Sequence, residues 1–94
     1  LIVPDKSFAY YNERNNTDYY SEFPGVILEN YIKSFSLPVV SVYPEFLEAV
    51  YNELNNNGEP VYWGDDSHWN RLGIEIAMDK VGKKIKELDN KYKN

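Results

Sequence analysis

Pro38-Val39-Val40-Ser41-Val42-Tyr43-Pro44 sets three valines in four positions between two prolines. Such a β-branched run suits a short strand. Pro38 closes the unit before it, and Pro44 is preset for the first turn of a helix. Downstream, Phe46, Leu47, Val50, Tyr51 and Leu54 recur at helical spacing until Asn55-Asn56-Asn57-Gly58 stops them. Upstream, a helix starting near Pro24 carries a stripe of Val26, Ile27, Ile32 and Phe35, with Tyr31 alongside. Leu1-Ile2-Val3 reads as another buried strand, closed by Pro4-Asp5, and residues 6–20 follow neither apolar period, which predicts a loop around 12–18.

Toward the other end, Val61-Tyr62-Trp63 is a short extended piece leading into Gly64-Asp65-Asp66-Ser67-His68-Trp69-Asn70. Beyond it, Ile74, Met78, Val81, Ile85, Leu88 and Tyr92 alternate at spacings of four and three, one face of a long amphipathic helix. The order strand, helix, strand, helix, loop, helix predicts an α/β fold with a parallel sheet. A chain of 94 residues holds one domain at most, and two or three strands do not complete such a sheet. Because a domain seldom begins inside a core strand, the expectation is a piece of a longer protein whose remaining strands lie elsewhere. An uncovered sheet edge is then expected to drive self-association.

Charge is unevenly placed: residues 1–70 hold 3 Lys/Arg against 11 Asp/Glu, residues 71–94 hold 7 against 4. The terminal lysines lack any nucleic-acid motif, so they read as a solvated helix face near the negative end of the helix dipole, and no nucleic-acid partner is expected. No apolar run is long enough to span a membrane. There is no cysteine, which excludes disulfides, thiolate metal sites and cysteine nucleophiles. With a single histidine, only carboxylates would complete a ligand set, so neither metal nor cofactor is expected.

That histidine, His68, follows two acidic residues in a loop that runs into a helix. Ligand crevices of α/β folds lie in such loops. A carboxylate two or three positions earlier can accept the Nδ1 proton and leave Nε2 as a general base, which a serine hydroxyl needs to become nucleophilic. The bland reading is a surface histidine beside a helix cap at Asp66 or Ser67.

Asp65-Asp66-Ser67-His68-Trp69-Asn70-Arg71-Leu72-Gly73 resembles the last conserved block of SGNH/GDSL hydrolases, an Asp-x-x-His followed by Asn and Gly. Its His-Trp form, with Leu1-Ile2-Val3-Pro4-Asp5-Lys6 and Tyr10 upstream, is similar to the cell-envelope, alginate-type O-acetyltransferase branch. The resemblance implies a three-layer α/β/α, flavodoxin-like SGNH fold, present here only in part. It implies an extracytoplasmic esterase or acyltransferase acting on carbohydrate or cell-envelope polysaccharide. It makes His68 the general base and Asp66 or Asp65 its orienting carboxylate, with Asp66 favoured by the Asp-x-His-Trp alignment. Gly73 fits close packing of the following helix, and Trp69 either walls the acyl pocket or packs under the loop. The family's Gly-Asp-Ser nucleophile block has no counterpart: Ser7, Ser21, Ser34, Ser36, Ser41 and Ser67 all lack that setting. The chain alone is therefore expected to be inactive, with the serine before Leu1 or after Asn94.

A rival reading is a non-catalytic carbohydrate- or protein-binding module. The chain has nine tyrosines and two tryptophans, and Tyr10, Tyr11, Tyr19 and Tyr20 flank one loop where they could stack on sugars.

Overall fold

In a computed structural model, described here for residues 1–15, 24–64 and 68–92, the chain forms four helices. They are α1 (Lys6–Asn15), α2 (Pro24–Ser34), α3 (Tyr43–Asn56) and α4 (Arg71–Tyr92). Helix α3 lies at the centre and packs against both α1 and α4. Its predicted stripe supplies the core only in part: Phe46 and Val50 are fully buried together with Val42, Val61, Ala9 and Ala77, whereas Leu47 is half-buried and Tyr51 and Leu54 are exposed. Sequestering a side chain such as Phe46 contributes about 2–3 kcal/mol. Pro44 stands in the first turn, as the sequence implied. At the other end Asn57 takes a left-handed conformation (φ 56°), and the Gly58 N–H returns to the Asn52 carbonyl at 2.9 Å.

The expected parallel sheet is not there. Among the described residues, extended pairing stops at two isolated bridges, Ile2 with Ser41 in parallel and Tyr62 with Trp69 in antiparallel. In the first, the Ile2 N–H donates to the Val40 carbonyl (2.7 Å) and the Val42 N–H to the Ile2 carbonyl (2.9 Å). The two runs read as strands do lie side by side, but Pro4 and Pro38 end them after one bridge. The third run does not join them, because 61–63 folds back on 68–70 instead. The three-layer α/β/α assignment is therefore corrected to a helical arrangement. The exposed sheet edge expected to drive self-association goes with it, since the described residues form no sheet.

A second correction concerns the loop expected around 12–18: residues 12–15 belong to α1, which begins at Lys6 where no helical period was read, and 16–18 lie outside the described residues. Asp5 explains it. Its Oδ2 accepts the Ser7 N–H at 3.2 Å and the Ser7 hydroxyl, and its carbonyl accepts the Ala9 N–H at 3.0 Å. That is an N-cap, which stabilises a helix start by about 1 kcal/mol whatever the apolar period beyond it. Among the described side chains of α1, Ala9 is the one fully buried in the central cluster.

Helix α4 also departs from expectation. Its face toward α3 is built from small residues, Gly73 and Ala77, with Leu72 and Ile76 beside them. The predicted stripe lies elsewhere on the helix: Ile74, Met78 and Ile85 are 49%, 49% and 61% exposed. On α2, Ile27, Leu28, Tyr31 and Phe35 are likewise exposed, while Gly25 sits beneath the Tyr43 ring with no room for a Cβ. No described helix is long and apolar enough to cross a membrane.

Candidate functional site

The arms of the loop that carries His68 are fixed from several directions. Val61 and Tyr62 are buried in the central cluster, and the Tyr62 ring meets Phe46 edge-on at 5.7 Å. The Tyr62 hydroxyl donates to the Pro4 carbonyl at 2.7 Å. Burial raises its pKa well above the usual tyrosine value, and the Asp5 carboxylate adds to the shift. Two backbone bonds join the arms: the Trp63 N–H donates to the His68 carbonyl (3.0 Å) and the Asn70 N–H to the Val61 carbonyl (2.8 Å). From α1, the Lys6 ammonium donates to the Trp63 carbonyl at 2.7 Å and approaches that of Gly64 at 3.4 Å.

Asn70 then turns the second arm into α4. Its Oδ1 accepts the Gly73 N–H at 3.2 Å, its Nδ2 donates to the Pro60 carbonyl at 2.6 Å, and its own carbonyl accepts the Ile74 N–H at 2.9 Å. The helix cap is thus Asn70, not Asp66 or Ser67. Gly73 is as the sequence implied, a site of close approach. A Cβ there would stand 2.7 Å from the Val61 carbonyl oxygen and 2.9 Å from Trp69 Cβ.

His68 stands exposed where the second arm begins. The calls on Asp65, Asp66 and Ser67 lie outside the described residues. Trp69 is half-buried, its indole 6.3 Å from the Phe46 ring at 63°. The neighbouring Trp63 is the exposed indole of the pair, at 56%. It borders a groove of about 350 Å³ shared with Glu59, Pro60, Asn70, Arg71 and Leu72. An apolar ring face with a guanidinium, an amide and a carboxylate around it is a combination that suits a polyhydroxylated ligand.

Three described serines have local work. The Ser7 hydroxyl donates to Asp5, that of Ser34 donates to the Tyr31 carbonyl at 2.6 Å, and that of Ser41 accepts the Tyr43 N–H at 3.3 Å while buried. No cluster of three potential metal ligands occurs among the described residues. Of the tyrosines expected to display themselves, Tyr10 is half-buried against Tyr62 and bonded to Glu53, whereas Tyr11 is 53% exposed. Tyr19 and Tyr20 lie outside the described residues.

Sequence reasoning missed Lys6, Trp63 and Asn70. Only Asn70 left a signal, an amide residue three positions before Gly73 at the start of a helical stripe. Lys6 and Trp63 act through a contact across 57 residues that no local pattern contains. Comparison of the chain with family models, curated proteins and solved structures gives no match.

Proposed function

We propose that the chain supplies the histidine–aspartate part of a serine-dependent O-acyl esterase or O-acetyltransferase site. In this reading it belongs to the SGNH type and its cell-envelope branch, and works outside the cytoplasm on carbohydrate or cell-envelope polysaccharide. The observation that supports it is the placement of His68. The only imidazole of the chain is exposed at the head of a helix, in a loop whose arms are held by the Trp63–His68 and Asn70–Val61 bonds and by Lys6. A base held in this way loses little entropy when it meets its substrate.

The roles follow from triad chemistry. Asp66, or Asp65, accepts the Nδ1 proton of His68, which leaves Nε2 to take the proton of a serine hydroxyl. That oxygen attacks the acyl carbonyl, and His68 returns the proton to the departing alcohol. Water or a sugar hydroxyl then releases the acyl group from serine. The nucleophile comes from polypeptide outside residues 1–94, since no serine within them has the Gly-Asp-Ser setting. The groove under Trp63 fits the sugar side of the substrate.

Hydrolysis of para-nitrophenyl acetate tests the reading. Residues 1–94 alone are expected to give no turnover above buffer. In the native polypeptide that carries them, His68→Ala is expected to lower kcat/KM by about 10⁴-fold or more. Full activity in that variant would overturn the assignment.

A further inference from the structure

Ile74, Met78, Val81, Ile85, Leu88 and Tyr92 follow one another at 4, 3, 4, 3 and 4 residues, the alternation of a coiled-coil seam rather than of a straight helix lying on a core. The chain covers this seam only in part. Ile74, Met78 and Ile85 are 49%, 49% and 61% exposed and Val81 and Leu88 half-buried, while α4 buries Gly73 and Ala77 on the adjoining face. Val81, Ile85 and Leu88 border a shallow groove of about 200 Å³ with Leu1, Val39 and Val40, so the uncovered surface continues from the helix onto the neighbouring segment.

Gly82 adds a second observation. A glycine inside a helix costs about 1 kcal/mol relative to alanine. Among the described residues, nothing beyond its own helix lies within 4 Å of where its Cβ would stand. Beside Met78 and Ile85, it leaves space for another helix to come close.

The charges flanking the seam choose the occupant. With Met78 and Ile85 at the first apolar position of the heptad and Val81 and Leu88 at the second, Lys84 and Asp89 take the flanking positions that face each other across a parallel pair. An antiparallel pair with residue 78 facing Leu88 would instead oppose Lys84 to Lys84, and Asp89 to Glu75. Lys84 now reaches Glu87 in its own helix at 3.2 Å, an exposed pair that is easily exchanged.

We infer that the outer face of α4 is a self-association surface on which a second copy of this chain docks, the two α4 helices parallel and in register. Each Lys84 then meets Asp89 of the other copy, and Met78 and Ile85 stack on their equivalents. This inference does not depend on the role given to His68.

Sedimentation equilibrium of the 94-residue chain at about 100 µM is expected to give a dimer, and Ile85→Asp to raise its dissociation constant at least about tenfold. Helical circular dichroism should be unchanged, because Ile85 is exposed in the single chain. The chain has no cysteine, so Met78→Cys carries the only thiol and should form a covalent dimer under mild oxidant. In an antiparallel pair, residue 78 would lie opposite the region of Leu88 and stay uncrosslinked. A monomer at that concentration, an Ile85→Asp variant that still dimerises, or association without Met78→Cys crosslinking would each overturn the proposal.

Discussion

Helices α3 and α4 carry the same kind of apolar repeat, and although Tyr51 and Leu54 of α3 are 50% and 43% exposed, the chain buries the centre of one repeat and not of the other. On α3, Phe46 and Val50 vanish into the core; on α4, Ile74, Met78 and Ile85 stay in contact with solvent. Periodicity states which side chains share a face, but not what that face will meet. For α3, the partners are α1, the buried pair Val61 and Tyr62, and α4 itself. For α4, the contact with α3 uses the face where Gly73 and Ala77 permit close approach. The inward side of α4 carries Gly73 and Ala77 with Leu72 and Ile76 beside them, and Ile74, Met78 and Ile85 were left outside.

The largest test of that contrast is Phe46→Ala. A fully buried ring in contact with Tyr62 and Trp69 should cost about 3–5 kcal/mol in urea unfolding, enough to unfold a chain of this size. A loss below about 1 kcal/mol would show that α3 is not the centre of the core. Gly73→Ala comes next. Its Cβ would meet the Val61 carbonyl and Trp69 Cβ, which should destabilise by about 1–3 kcal/mol and loosen the His68 loop as α4 shifts. Asn70→Ala removes the cap of α4 and the bond to Pro60, for about 1 kcal/mol.

Alkaline pH probes the same core from the tyrosine side. Burial raises the pKa of both Tyr62 and Tyr43, with the Asp5 carboxylate adding to each shift. A tyrosine in the unfolded chain ionises near 10, so this stabilisation is complete below about pH 10 and is lost as pH rises from there through the folded values. Thermal melts should therefore fall steeply above about pH 10, and Tyr62→Phe should flatten the slope, with Tyr43 supplying what remains. Equal slopes in the two proteins would remove Tyr62 from the buried set. The smallest effect belongs to the outer face of α4: in dilute, monomeric chain, Ile85→Ala should change stability by no more than about 0.5 kcal/mol. A larger loss would mean that the seam is already covered within one chain.

Much of the helix pattern was legible because local chemistry announced it. Pro24, Pro44 and the Asn57-Gly58 end all stand where the sequence put them. Helix α1 was not legible, since its start depends on an Asp5 cap and its buried contribution is the small Ala9. The sheet was misread for a physical reason. Valine-rich runs such as 39–42 satisfy strand propensity, yet strands become a sheet only with neighbours, and Val61–Tyr62 found its neighbour at 69–70. At the site, His68 and Gly73 were read from the sequence as candidates. The tie from Lys6 and the exposed Trp63 depend on contacts between distant segments.

The pairing of His68 with an acidic neighbour is the claim on which the functional account stands, and the tautomer of its ring reports it directly. Long-range proton–nitrogen NMR on the ¹⁵N-labelled chain distinguishes Nδ1–H from Nε2–H. With the imidazole neutral, the account predicts a dominant Nδ1–H form that reverts toward Nε2–H in Asp66→Asn or, if the other carboxylate is the partner, in Asp65→Asn. A ring that is Nε2–H in the unmodified chain, and unchanged by either substitution, would contradict it.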